Sequence, residues 1–218
     1  MDETGIVKEI SKTKKARAPL YLNNEKIGFF FSQKLGDLSN LVASKKLGSE
    51  ISASLLKIIG SKVDSESGLE ATIQLSPVIK AILLEAQARE AKELLDLAKH
   101  APRQNSWLVY IGPGRFVIWN QKISHENSGL DEATAKVIQK EREDQEKMLR
   151  FWNDKIRTVV WLANAKGRTI ASIASTDWIN GNLFASYVGA PIQGILGRYE
   201  KKIEDIVFVS PFWIWGET

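Results

Sequence analysis

The clearest periodic stretch of the chain begins at Ser76-Pro77. Val78, Ile79, Ile82, Leu83, Ala86, Leu94, Leu97 and Ala98 then recur at helical spacing. Serine suits the cap and proline the first helical position. Glu85 with Arg89, Arg89 with Glu93 and Lys92 with Asp96 stand four apart on the wetter faces. Lys99 and His100, followed by Pro102, suit a helix C-terminus. The pattern predicts one continuous helix of roughly 35 Å.

A second long helix is predicted over residues 130–156. Its middle, Gln139 to Lys147, is nearly all charged or amide, and Glu132/Lys136, Glu143/Lys147 and Glu146/Arg150 are paired at four-residue spacing. Such a helix presents a solvated face or meets a partner. Met148, Leu149, Trp152 and Ile156 are expected to anchor its end to the core.

Shorter signals precede these. Pro19 to Asn24 reads as a strand. Glu25 to Leu35 reads as a helix with Ile27, Phe30, Phe31 and Leu35 on one face, despite Gly28. Glu50 to Ile59 predicts a short helix ended by Gly60. Residues 61–70 read as a mobile loop whose Asp64, Glu66 and Glu70 are solvated acids, since their spacing matches no cation loop.

The pattern changes after Asn105, and all seven tryptophans lie beyond it. Ser106–Ile111 and Arg115–Asn120 alternate around Gly112-Pro113-Gly114, a hairpin signal. Thr158–Leu162 and Thr169–Ile173 flank Asn164 to Gly167, another turn. Ile192–Tyr199 and Ile206–Ile214 predict two strands around a polar connection at 200–205, and Trp178–Val188 a short helix or loop. Trp213 and Trp215 share a parity and point to one face. That face packs on the helices or, if wet, forms a partner patch. The expected fold class is therefore α+β. A flexible basic arm (1–18) precedes a helical part (19–104), which packs with a mainly antiparallel β-rich part (105–218) carrying the charged helix.

Composition narrows the chemistry. The 218 residues contain no cysteine, which removes disulfides and thiolate chemistry. Thirty basic and 26 acidic residues leave a net charge of +4, too small an excess to make a nucleic-acid binder by composition alone. No run approaches the roughly 18 apolar residues of a membrane span, and the opening lacks the apolar core of a signal peptide. A cytoplasmic protein is expected. The arm carries Lys8, Lys12, Lys14, Lys15 and Arg17. Of these, Lys12, Lys14, Lys15 and Arg17 are candidate nucleic-acid contacts.

Catalytic signatures are missing. The two histidines, His100 and His125, fall in no metal-ligand pattern, and there is no GxSxG. Gly112-Pro113-Gly114 matches no phosphate-loop motif. Glu200-Lys201-Lys202 follows a predicted strand rather than lying within one, which argues against a metal nuclease. The chain reads as non-enzymatic, with no cofactor and no metal.

Two ends of the chain carry a resemblance. Tyr21-Leu22-Asn23, followed by Ile27, Phe31 and Gln33-Lys34-Leu35, resembles the opening of an uncharacterised bacterial family of unknown function. Leu75 to Lys80, Gly194 to Arg198 and Ser210 to Trp215 look similar as well, so the likeness spans most of the chain. Asn23 stands where an acidic residue is usual, and no site is carried over. The resemblance implies an α+β protein, bacterial or phage-borne, in a defence-linked context and without an assigned catalytic mechanism.

The leading expectation is an interaction or adaptor protein acting in an oligomer or larger complex. Glu141, Arg142, Glu143, Glu146, Trp213 and Trp215 are its candidate partner surface, and deleting 139–147 should abolish binding without unfolding the core. One alternative is a nucleic-acid binder using the basic arm. Another is a small-ligand sensor with a pocket between the helices and the tryptophan-bearing sheet.

Overall fold

A computed structural model of the protein describes residues 17–35, 76–118 and 120–217. The helix expected at 50–59, the loop at 61–70 with its acids, Lys8, Lys12, Lys14, Lys15 and Trp119 lie outside the described residues. The fold is α+β, as the patterning predicts, with a mixed and mainly antiparallel sheet.

The described elements are β1 (Arg17–Leu22), α1 (Asn24–Leu35), α2 (Pro77–Glu90), β2 (Leu94–Asp96), β3 (Trp107–Gly112) and β4 (Gly114–Val117). They continue with α3 (His125–Ser128), α4 (Glu132–Trp152), β5 (Thr158–Ala165), β6 (Arg168–Ser175), α5 (Gly181–Tyr187), β7 (Gln193–Ile203) and β8 (Ile206–Glu217). The sheet runs β2-β3-β7-β8-β6-β5-β4, with β1 added beside β8. β8 therefore has β7 along one side, while β6 pairs with its first half and β1 with its second.

Two expectations fail here. The long helix from Ser76 stops at Glu90, after 14 residues. Lys92 adopts φ 58°, and the Glu93 N–H donates back to the Ala88 carbonyl, a left-handed helix stop without the usual glycine. Leu94 to Asp96 then pair in parallel with Trp107 to Val109. The apolar residues that prolong the helical period thus belong to a strand and the turn after it, and His100 ends no helix.

The second failure is the hairpin at Gly112-Pro113-Gly114. β3 pairs with β7, and β4 pairs with β5. The two strands are joined by Pro113 alone yet sit near opposite ends of the strand order. The sheet must therefore curl until those ends approach. Burial agrees. Tyr110, Val159, Trp161, Ala163, Ile195 and Ile214 form a buried cluster that, among the described residues, includes none from a long helix. A sheet face that is buried without a helix over it is packed against itself. Across this interior the Trp161 indole N–H donates to Gln193 Oε1 at 2.8 Å, linking β5 to β7. The Tyr110 hydroxyl donates toward the Pro113 and Asn164 carbonyls at 3.3 and 3.2 Å.

The outer face carries the helices. α1 and α2 cover Trp107, Leu196, Phe212, Trp213 and Trp215, while α4 covers Val117, Val160, Leu162, Ala171, Ile173 and Phe208. Along β8 the outward parity shifts from 206 and 208 to 213 and 215. A bulge at Phe212 is the cause: Leu196 faces Trp213 and Gly197 faces Pro211, leaving Phe212 unpaired. This one extra residue lets a single strand serve both helical flanks.

The turns expected at 164–167 and after 200 are present. Lys166 and Gly167 both take positive φ, 51° and 78°, between the Ala165–Arg168 pair, as a two-residue hairpin of the favoured hand requires. The last connection is shorter than expected, because β7 runs through Ile203.

Gly194 pairs with Trp215, and a Cβ there would fall inside the indole ring. Trp215 is fully buried and cannot retreat. Gly194→Ala is expected to cost about 1–3 kcal/mol through overpacking, read as a lower urea midpoint with unchanged slope.

Candidate functional site

α4 is where the charged candidates lie, and its phase decides which of them is available. The helix starts on Asp131, whose Oδ1 accepts from the Thr134 N–H at 2.9 Å. Its inward residues are Ala135, Ile138 and Arg142. Arg142 is only 3% exposed. Its guanidinium donates to the Thr158 hydroxyl and carbonyl at 3.2 and 3.0 Å, and to the Gln121 carbonyl at 2.8 Å. Burial pulls its pKa below the usual arginine value, against the nearby Glu146 and Glu143 carboxylates. Glu146 accepts from the Thr158 N–H at 2.9 Å and its hydroxyl at 2.7 Å. Glu141 is paired with Lys201 at 2.5 Å.

The candidate partner surface is corrected accordingly. Arg142, Glu146 and Glu141 face the sheet, tying α4 to β5, β7 and the 118–121 turn. Trp213 and Trp215 are fully buried beneath α1 and α2, with ring centroids 4.5 Å apart. Their shared parity is as expected, but the face is dry. Of the six residues Glu143 alone is exposed. Residues 139–147 hold the buried guanidinium, so their deletion would strike the core rather than spare it.

The end of α4 reverses expectation in the other direction. Met148 is 65% exposed, Phe151 82% and Trp152 84%. Inward positions at 135, 138 and 142 lead on to 145, 146 and 149, so Met148 and Phe151 point away from the sheet, while Trp152, seven residues after 145, keeps the inward phase and is exposed as the last residue of the helix. Phe151 and Trp152 meet edge to face, 5.3 Å apart. They form a small apolar patch rather than an anchor.

Arg17 is also corrected. It opens β1 instead of belonging to a loose arm, its guanidinium bonds Glu85 at 2.5 Å, and it lies 4.2 Å from the Trp215 ring centroid. Glu85 accepts from Arg89 as well. A cation so enclosed is closed to phosphates. Burial shifts other groups as well, and raises Tyr110 among them. Burial lowers Lys26, which donates to the Ser210 hydroxyl at 2.7 Å, with Glu200 opposing the shift. Burial also pushes Tyr21 up to about 12, against a hydrogen bond from Asn23.

A concave site lies elsewhere, between the end of α1, the α2–β2 turn and the 103–106 turn. The groove has a volume of about 430 Å³. Phe30 and Trp107 meet edge to face at 5.4 Å in its apolar wall. Arg198 stands 5.2 Å from the Phe30 ring centroid and donates to the Asn105 carbonyl at 2.9 Å. Lys34 and Glu93 form an ion pair at 2.9 Å on its rim. Lys92 and Arg103 also line it. The sequence offered a pocket between the helices and the tryptophan-bearing sheet as one alternative but named none of this groove's residues for it, because they come from segments far apart in the chain.

The His100 carbonyl accepts from the Arg168 guanidinium at 3.0 Å. His125 begins the four-residue α3, its Nδ1 2.6 Å from the Leu130 carbonyl. Among the described residues no group of three or more His, Asp or Glu side chains is placed to hold a metal ion. No helix among them is long and apolar enough to cross a membrane.

No family model, curated protein or solved structure matches the chain.

Proposed function

We propose that the protein is a non-enzymatic interaction module that self-associates through the outer face of α4. The adjacent, almost fully exposed Phe151 and Trp152 carry this reading. Aromatic residues are enriched in interface cores and concentrate binding energy there. Leaving two of them side by side in water is costly unless they are covered.

The rest of the outer face argues for a second copy as occupant. Its exposed charges are Glu132, Glu143 and Asp144 against Lys136, Lys140, Lys147 and Arg150, the last paired with Glu146, so the stripe mixes both signs in near balance. A nucleic acid would call for a positive stripe. A two-fold copy meets both signs and needs no complementary partner gene. An assembly built on such pairs serves an adaptor role, whether or not further proteins join it.

Light scattering against concentration tests this. The wild type is expected to dimerise, and the Phe151→Ser/Trp152→Ser variant to run as a folded monomer with an unchanged circular dichroism spectrum. A wild type that stays monomeric at every concentration would overturn the reading, as would a double variant that dimerises equally well.

A further inference from the structure

We infer that the groove between α1, β2 and the 103–106 turn binds a nucleoside phosphate, free or at the end of a single strand. This inference does not depend on self-association through α4.

Three facts converge on that ligand class. The first is charge. Lys92, Arg103 and Arg198 line the groove, and no ion pair links them to a carboxylate among the described residues. Glu93 is engaged by Lys34. Three uncompensated cations around one concavity suit a ligand with more than one negative charge, which a single carboxylate is not.

The second is preorganisation. Arg198 is held from two sides, by the Phe30 ring and by the Asn105 carbonyl. The 103–106 turn is closed by the Ser106 hydroxyl, which donates to the Arg103 carbonyl at 2.5 Å and accepts from the Arg103 N–H at 3.2 Å. Lys92 and Asn105 are two of the four described non-glycine residues with positive φ, and both stand at this groove. Backbone strain of this kind gathers where a site is shaped.

The third is the wall. Phe30, Trp107 and Leu95 give the groove apolar lining, with Arg198 against the Phe30 ring. Phe29, 59% exposed, meets Phe30 edge to face at 5.1 Å and extends that side outward. Aromatic rings beside a guanidinium offer the flat surface on which a base stacks. The volume falls within the range of small-ligand sites. Phosphates would sit on Lys92 and Arg103, with the base along Phe30 and Arg198.

The test is calorimetric titration of the full chain with ATP, with inorganic phosphate and with a 5′-phosphorylated oligothymidylate, at low and moderate salt. ATP or the oligonucleotide is expected to bind, more weakly as salt rises. Lys92→Glu/Arg103→Glu should weaken binding by more than about tenfold, and Glu93→Gln should strengthen it by removing the one acid that lines the groove among the described residues. All these side chains are at the surface, and circular dichroism checks that the variants fold. Preference for ATP identifies a free nucleotide, and preference for the oligonucleotide a strand end. Inorganic phosphate binding as tightly as ATP would remove the base from the proposal and overturn it. So would an unaltered affinity in the double variant, a loss seen only when Lys12, Lys14 and Lys15 are replaced, or no binding at low salt.

Discussion

Replacing Arg142 by alanine is expected to lower the unfolding free energy by about 3–5 kcal/mol, the range for breaking a buried, hydrogen-bonded charge network. The guanidinium is the link by which α4, the 118–121 turn and the start of β5 meet. Its removal leaves the carbonyls of Thr158 and Gln121 without these donors and Glu146 with Arg150 as its remaining ion-pair partner. Arg142→Lys should recover little. An ammonium cannot reach the Thr158 and Gln121 acceptors together from one fork. Glu146→Gln keeps an acceptor for the Thr158 N–H and should cost less than Arg142→Ala. Urea denaturation followed by circular dichroism reads all three. A loss below about 1 kcal/mol for Arg142→Ala would mean that water replaces the guanidinium at no cost, as at a surface position.

Arg142 also shows why charge runs mislead. Between Gln139 and Lys147 it is one ionic side chain among many, and so charged a stretch reads as a solvated or partner-facing surface. What separates it is phase: 135, 138 and 142 continue one inward stripe. Read by phase instead of by composition, the same helix places Phe151 outside, whereas Trp152 keeps the inward phase and is exposed because the helix ends there. Local periodicity thus held the information, but charge content obscured it. The 76–100 stretch is the opposite case. There the apolar period ran on smoothly through a real helix end, because Lys92 supplies a left-handed stop that glycine usually marks. The hairpin at Pro113 was illegible for a third reason. Turn chemistry specifies that a chain bends, not which strands pair afterwards, and pairing here is settled by closure of the whole sheet. The groove depends on the same long-range closure, since Arg198 reaches Phe30 and Asn105 only once β7 lies beside β3. Strand positions and the shared parity of Trp213 and Trp215, by contrast, follow from two-residue alternation and were readable, whereas the dryness of their face was not.

That closure has a measurable keystone. Trp161→Ala is expected to cost about 3–5 kcal/mol, the range for emptying a large aromatic site in a rigid core. Trp161 is fully buried, stands 5.9 Å from the Tyr110 ring and rests on Gly114, where a Cβ would lie 2.7 Å from the indole. It therefore touches β3, the start of β4 and, through Gln193, β7. Those are the strands that must meet if the sheet is to curl. Packing and hydrogen bonding can be separated. Trp161→Phe keeps most of the ring packing but strips Gln193 Oε1 of its indole donor, so it should cost about 1–3 kcal/mol. Gln193 would still donate to the Val188 carbonyl at 2.8 Å, which limits its freedom to turn and find another partner. Circular dichroism is the suitable probe, since indole fluorescence changes with the substitution itself. If Trp161→Ala unfolds with the wild-type midpoint, the seam is held by the backbone ladder alone. If it unfolds early and Trp161→Phe falls between, the curled sheet depends on one side chain that spans it.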